Sequence, residues 1–218
     1  MAEDSYRALR EDMVDRQIKA RGVTNPLVLE AMRTVPRHAF VPEDQRSMAY
    51  EDRPLPIGSG QTISQPYIVA YMTQLLRLGG GEKVLEVGTG HGYQAAVLSR
   101  IASHVYTVEC HSELAEQAGS NLRQLGYDNV SIRVGDGTVG WPEEAPFGGI
   151  LATASGPDVP EPLKEQLAFG GRLVMPIGAY RLGQSVVRVL RGADGAFHQE
   201  RMLDVAFVPL IGKHGWQE

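Results

Sequence analysis

Lys83-Val84-Leu85-Glu86-Val87-Gly88-Thr89-Gly90-His91-Gly92-Tyr93 is the stretch that decides the fold. Val84, Leu85 and Val87 make the short apolar run of a strand covered on both faces of a parallel sheet. Gly88, Gly90 and Gly92 let the backbone bend sharply and lie close to a ligand. Ala95-Ala96-Val97-Leu98 then reads as a helix packing back on that strand. Strand, glycine turn and helix in this order place a ligand at the carboxyl end of a strand, where open α/β sheets bind nucleotides. The spacing is Gly-x-Gly-x-Gly preceded by Glu86, not the Gly-x-Gly-x-x-Gly of a dinucleotide fingerprint. A purely structural tight turn is the competing reading, and the rest of the chain has to decide.

At 218 residues the chain suits one well-buried α/β domain and is short for two. Hydrophobic residues at 43% and charged residues at 22% are ordinary for a soluble globular protein. A net charge of −5 supplies no overall basic field for a nucleic-acid backbone. Apolar runs are too short to span a membrane, and acids at Glu3 and Asp4 stand where a signal peptide would be basic. Cys110 has no internal disulfide partner, which fits a reducing cytoplasm.

Residues 5–21 read as an amphipathic helix, with Leu9, Met13, Val14 and Ile18 at helical spacing. Asn25-Pro26 predicts an N-cap and a proline at the first helical position of a helix that Pro36 ends. Residues 36–61, rich in Pro and Gly, are expected to form an irregular cap leading to the site, packed through Phe40, Val41, Leu55 and Ile57. Tyr67–Leu78 is a predicted helix that Ser64 or Thr62 could cap and that Gly79-Gly80-Gly81 ends. After the glycine turn, strands are expected at 104–109, 130–134, 147–153 and 171–177, with helices at 112–125 and 161–167. Ser185–Leu190 and Phe197–Val208 form a terminal strand pair joined through Gly192-Ala193-Asp194-Gly195. The pattern predicts a mainly parallel sheet with an antiparallel edge. Glu109 ends the second strand about twenty residues beyond the glycine turn, where an acid can accept hydrogen bonds from ribose hydroxyls. A solvent-facing acid at a strand end is the alternative.

The glycine turn with its preceding acid resembles motif I of the S-adenosylmethionine-dependent methyltransferases, and Leu55-Pro56-Ile57-Gly58-Ser59-Gly60-Gln61-Thr62-Ile63-Ser64-Gln65-Pro66 narrows that resemblance. From about Val14 to Leu210 the chain resembles the protein-L-isoaspartate (D-aspartate) O-methyltransferases. Gly135-Asp136-Gly137, Gly140-Trp141, Gln166-Leu167, Gly170-Gly171-Arg172-Leu173-Val174 and Phe207-Val208-Pro209-Leu210 extend the agreement. The resemblance implies an α/β fold: a Rossmann-like sheet, mainly parallel with an antiparallel C-terminal strand, plus an N-terminal helical cap. It implies one methyltransferase domain over 1–218, with helices and substrate cap in 1–78 and the cofactor-binding core in 79–218. The activity implied is methyl transfer from S-adenosyl-L-methionine to the free α-carboxylate of L-isoaspartyl, and more weakly D-aspartyl, residues in damaged proteins and peptides. The product is S-adenosyl-L-homocysteine.

By the same resemblance Glu86, Gly88, Thr89, Gly90 and Gly92 would border the methionine and ribose of the cofactor. Glu109 would hold the ribose hydroxyls, and Asp136 with Gly137 would meet the adenine. Ser64 would sit beside the reacting carboxylate, with Ile63, Gln65 and Pro66 in the substrate site. No metal is expected, no nucleic acid or membrane partner, and a cytoplasmic monomer is the expectation. An α-carboxyl ordinarily titrates at ~3.3–3.7 and is already ionised at neutral pH, so no general base is needed. Ser64 is thus read as an orienting donor, with a plain helix cap as its alternative. Gly148 and Gly149 depart from the commoner Asp-Ala and could loosen their strand. His91 stands where a small residue is frequent, which would alter the cofactor lip. Cys110 is read as a packing residue, and Trp141 either as an edge of the site or as a core aromatic. A methyltransferase of nucleic acids or small molecules is the second reading, but Leu151-Ala152-Thr153-Ala154-Ser155-Gly156-Pro157 lacks an Asn/Asp-Pro-Pro-aromatic motif. A non-catalytic adaptor ranks last, since the motif keeps its glycines and its acid.

Overall fold

The computed structural model describes residues 3–179 and 183–217; the expected outer bounds at residues 1 and 218 lie outside them. Helix α1 (Glu3–Asp12) continues through a wide i→i+5 stretch, Met13–Ile18, and a tight turn, Lys19–Arg21, to Gly22 at φ 90°. Helix α2 (Pro26–Thr34) begins as expected, with the Asn25 side chain accepting from Leu27 N at 2.9 Å and Val28 N at 3.3 Å. Val35 turns extended because proline disfavours the helical region for the residue before it.

The cap is more ordered than expected. Short 3₁₀ turns at Arg37–Phe40 and Glu43–Met48 lead into an antiparallel hairpin of β1 (Leu55–Gly58) and β2 (Gln61–Ile63). Leu55 and Ile57 bury their side chains while Pro56 and Gly58 face out. Gly58, Ser59 and Gly60 turn the hairpin at φ 94°, 48° and 68°. Helix α3 (Pro66–Leu76) ends at Arg77, left-handed at φ 52°, ahead of the glycine triplet expected to end it. Those glycines instead wrap the Glu82 carboxylate, which accepts from Gly79 N at 2.8 Å and Gly80 N at 2.9 Å.

The chain then alternates β3 (Lys83–Val87), α4 (Tyr93–Ser99), β4 (His104–Glu109), α5 (Ser112–Gln124), β5 (Val130–Val134), β6 (Phe147–Ala152), α6 (Glu161–Glu165) and β7 (Leu167–Ile177). Strands β8 (Gln184–Arg191) and β9 (Phe197–Val205) close the sheet, whose order is β5-β4-β3-β6-β7-β8-β9. Strands β3 to β7 pair in parallel; β8 and β9 add antiparallel. The winding reverses between β3 and β6, so the glycine turn leaves β3 at a topological switch point. Val84 joins the core shared with α2, α3 and α4, and Leu85 and Val87 join the core under α6 and β7.

Three expectations change at the C-terminal half. Helix α6 is shorter than 161–167 because Leu167 already pairs with Phe147. Strand β9 stops at Val205, and buried Gln184 draws the chain off the sheet. Its amide donates to Phe207 O at 3.2 Å and accepts from Phe207 N at 2.6 Å. Gly148 and Gly149 admit their neighbours: a Cβ at 148 would lie 2.7 Å from Glu82 Cγ, and one at 149 would lie 3.1 Å from Leu78 Cδ2. Beyond one register shift between Phe147 and Gly149, β6 is a buried strand and is not loosened. Among the described residues no helix is long and apolar enough to cross a membrane.

Candidate active site

The carboxyl ends of β3, β4 and β6 open into a cleft lined by residues 88–91, residues 109–111 and Thr153, the place where open α/β sheets bind their ligands. Its floor is the glycine turn. Gly88, at φ 93°, donates to Val108 O at 2.8 Å, and a Cβ there would collide with Thr153 Oγ1. Thr153 closes the other side, donating from N to Val87 O at 2.8 Å and from Oγ1 to Gly88 O at 2.7 Å. A Cβ on Gly90 would lie 3.1 Å from Ile57 Cδ1, so the β1–β2 hairpin rests directly on the turn. Gly92 is the left-handed N-cap of α4, and a Cβ there would lie 3.2 Å from Leu122 Cδ1. It supports the turn and does not line the cleft.

Glu109 lines the cleft, 5% exposed. Its carboxylate accepts from Gly90 N at 2.8 Å and His111 N at 3.1 Å, tying the end of β4 to the turn. Cys110 Sγ is a third, longer donor, to Oε1 at 3.6 Å; a carboxylate carries about four acceptor sites, so room for a ribose hydroxyl remains. Glu86 differs from its expected place: it lies beneath the turn, fully buried, not on the cleft wall. Thr107 Oγ1 donates to Glu86 Oε2 at 2.5 Å and shares a 2.7 Å hydrogen bond with Thr89 Oγ1. Burial, reinforced by the charge of Glu109, pushes the Glu86 carboxyl up to about 8 against the opposing Thr107 bond. Glu86 is thus a mostly neutral acid at pH 7, propping Thr89 through Thr107.

Gly137 lines the cleft, but the Asp136 side chain points elsewhere. Its Oδ1 accepts from Thr138 N at 2.8 Å and Thr138 Oγ1 at 2.6 Å, and its Oδ2 from Lys213 N at 2.8 Å. Burial would raise this carboxyl, yet the hydroxyl and the two amides hold it below the usual aspartate value. Thr138 and the C-terminal segment at 212–216, anchored also by Trp216 Nε1 donating to Ser155 O at 2.9 Å, thus share the Asp136 carboxylate.

Ile63 and Ser64 line the opposite wall at the exit of the hairpin. Ser64 does not cap α3, whose N-cap is Gln65 without a side-chain cap bond. Among the described residues the Ser64 hydroxyl has no protein partner, which leaves it free toward the cleft. Gln65 and Pro66 are not on the wall: Gln65 Nε2 donates to Asp52 O at 2.9 Å, and Pro66 is the buried first residue of α3. Residues missed in the sequence are Thr153, Ala154 and the run Val208–Ile211, which close the cleft from the far side. The signal for that run was the Phe207–Leu210 match. Ser155 N donates to Val208 O at 2.8 Å and Leu210 N to Ser155 O at 2.9 Å, which carries the run to the site.

Cys110 is exposed on the cleft rim, not packed as expected. Partial burial of its sulfur and the neighbouring Glu109 charge push the thiol up to about 11. Glu109, Cys110 and His111 bring potential ligand atoms within 4.8 Å of one another. With the thiol protonated and donating to Glu109 Oε1 at 3.6 Å, this donor set suits hydrogen bonding better than a metal. Trp141 packs edge-on to Tyr106, centroids 5.3 Å apart, away from the cleft, which favours the core reading. The positive-φ glycine turn, where side chains would collide, and the nearly buried acid at the next strand end fit a nucleoside-bearing ligand such as S-adenosylmethionine.

The family model for protein-L-isoaspartate(D-aspartate) O-methyltransferase matches residues 8–215. Protein-L-isoaspartate O-methyltransferase 1 of Rhodopseudomonas palustris (strain HaA2) is 56% identical over 212 residues, covering 97% of this chain and 86% of the relative. Protein-L-isoaspartate O-methyltransferase 2 of Pelobacter propionicus is 55% identical over 207 residues, covering 95% and 92%. A solved protein-L-isoaspartate O-methyltransferase superposes with a TM-score of 0.85 at 32% identity, over 94% of this chain and 67% of that one. A Plasmodium falciparum structure, described as a beta-aspartate methyltransferase in complex with S-adenosyl-L-homocysteine, superposes with a TM-score of 0.79. It is 25% identical, over 93% of this chain and 98% of that one.

Proposed function

The chain belongs to the protein-L-isoaspartate(D-aspartate) O-methyltransferase family, and from that premise we propose how its cleft divides the work of methylating damaged protein. The protein is an S-adenosylmethionine-dependent methyltransferase acting on the free α-carboxylate of L-isoaspartyl residues. The ester then collapses to a succinimide, and hydrolysis returns part of it to normal aspartate. D-aspartyl residues are the weaker substrates.

When bound, S-adenosylmethionine supplies a methyl group on a positively charged sulfur. The chain's own residues do the rest. Glu109, fixed by Gly90 N and His111 N, is proposed to hold the ribose hydroxyls, with Gly88, Thr89 and Gly90 along the methionine and ribose and Gly137 beside the adenine. Asp136 and Glu86 are proposed to act behind that wall, the first by pinning the C-terminal segment and the second by propping Thr89. Ser64 is proposed to donate its hydroxyl proton as a hydrogen bond to the substrate carboxylate, aiming one oxygen and leaving the other to react. The observation that carries this role is the placement of Ser64 on the wall without a helix-capping duty. No general base is required, because the α-carboxyl, which ordinarily titrates at ~3.3–3.7, is ionised at neutral pH. Apolar Ile63 beside Ser64, with Val208 and Leu210 across the cleft, are proposed to exclude water from the carboxylate, and positioning of it against the methyl group supplies ~7–11 kcal/mol in favourable cases.

The common core of the N-terminal helices and β3 supports one methyltransferase domain made of 1–78 and 79–218. A cytoplasmic location fits a single free cysteine. Transfer of labelled methyl to an isoaspartyl peptide, released as methanol on mild base treatment, tests the reaction; stable label would indicate another acceptor.

A further inference from the structure

His91 stands at the apex of the glycine turn, between Gly90 at φ 54° and Gly92 at φ 92°. It is half-buried and lines the cleft. Its Nδ1 lies 3.1 Å from Phe40 O, and since a carbonyl only accepts, that nitrogen must carry the proton. Burial draws the imidazole below its ordinary pKa, against the carbonyls of Phe40 and Ile57, so the ring is neutral at pH 7 with its hydrogen on Nδ1. The backbone of the same residue is held from the other side, Asn121 Nδ2 donating to His91 O at 3.0 Å. One residue thus joins three elements: the cofactor turn, helix α5 and the cap.

Two of the cap contacts made nearby are of a different kind. Phe40 packs on Tyr93 with centroids 5.7 Å apart, and Arg37 Cζ lies 4.9 Å from the Tyr93 ring. The Phe40–Tyr93 contact is an edge-on packing of rings, whereas the His91–Phe40 hydrogen bond is directional. The cap residues it fixes lead through the hairpin to Ser64, whose hydroxyl must be placed against the substrate carboxylate. A side chain with no donor at the position of Nδ1 would leave Phe40 O without this tie to the turn.

We propose that His91 is a positioning residue that sets the substrate cap in register on the cofactor turn, acting on peptide recognition through Phe40 and not on the cofactor. This rests on the methyltransferase reading. The test compares the wild-type protein with His91→Ala and His91→Asn, since an asparagine amide nitrogen reproduces the Nδ1–H donor. In His91→Ala, the KM for an isoaspartyl peptide is expected to rise about tenfold. The Kd for S-adenosyl-L-homocysteine should stay within twofold, and amide exchange across 37–41 and 55–63 should speed up about tenfold without any ligand. His91→Asn should restore both KM and exchange to within about threefold of wild type. Unchanged exchange in His91→Ala overturns the proposal, as does a Kd that rises with KM, or an asparagine variant no better than the alanine. Should the wild type fail to methylate the peptide, the reading of function fails, while the exchange comparison still decides the clasp.

Discussion

Replacing Glu86 by glutamine probes the most unusual electrostatic feature of the site. The Glu86 carboxyl is fully buried, its Oε1 has no partner, and burial lifts it from an ordinary 4.5 to about 8. Below about pH 4.5 both folded and unfolded chains hold this proton. Between the two values only the folded chain does, so stability falls as pH rises. Above about 8 both states are ionised and the loss is complete. A rise from 4.5 to about 8, at ~1.36 kcal/mol per pH unit, makes the full loss on the order of 5 kcal/mol. A glutamine side chain has nearly the same shape and cannot ionise, so Glu86→Gln escapes it. Urea unfolding of both proteins from pH 5 to 9 checks this, because titrating groups not coupled to Glu86 cancel in the difference. The variant should be near or slightly below wild type at pH 5, reflecting an unsatisfied buried amide, and several kcal/mol more stable at pH 9. A difference that stays flat within about 1 kcal/mol across that range would refute a buried neutral acid under the turn.

Three further substitutions separate the parts of the site. Ser64→Ala should lower kcat/KM for isoaspartyl peptide roughly 10- to 150-fold, the worth of a hydrogen bond to a charged group at ~1.5–3 kcal/mol. Calorimetric titration should find its S-adenosyl-L-homocysteine affinity within about twofold of wild type, and its Tm should hold because Ser64 caps no helix. Glu109→Ala strips the acceptor from Gly90 N and His111 N, so its main effect should be a weakening of S-adenosyl-L-homocysteine binding by roughly 10- to 100-fold, read by the same titration. Gly148→Ala places a Cβ 2.7 Å from Glu82 Cγ, whose carboxylate holds two loop amides. A loss of about 1–3 kcal/mol is expected, seen as a fall in Tm of several degrees with the cofactor affinity of the folded protein intact.

What the sequence made legible follows the range of the forces involved. Strands at 104–109 and 130–134 agree with β4 and β5 because β-branched runs there are bounded by turn residues, a local signal. Asn25-Pro26 was readable for the same reason, since the cap and the proline act within four residues. The hairpin at 55–63 was hidden by Pro56, which counts against a strand unless its neighbours are known to leave it on an outer position. Helix α3 ends on Arg77, a non-glycine left-handed residue that no propensity would select. The two acids off the cleft wall are held there by contacts of different range. Asp136 is held locally by Thr138, two residues on, and from afar by Lys213 N, 77 residues away in sequence, and Glu86 lies under the turn through its pairing with β4. The Val208–Ile211 wall is set by Gln184 and Ser155. Motifs located the turn and the acid on β4, and tertiary hydrogen bonds decided which side chains reach the cleft.

The most direct test of the central claim is methyl transfer from labelled S-adenosylmethionine to two peptides of one sequence, with L-isoaspartyl or L-aspartyl at a single position. Base-labile label is predicted on the isoaspartyl peptide alone, with a D-aspartyl version labelled more slowly. Equal labelling of both L-peptides, or no labelling of either by protein that binds S-adenosyl-L-homocysteine, would contradict it.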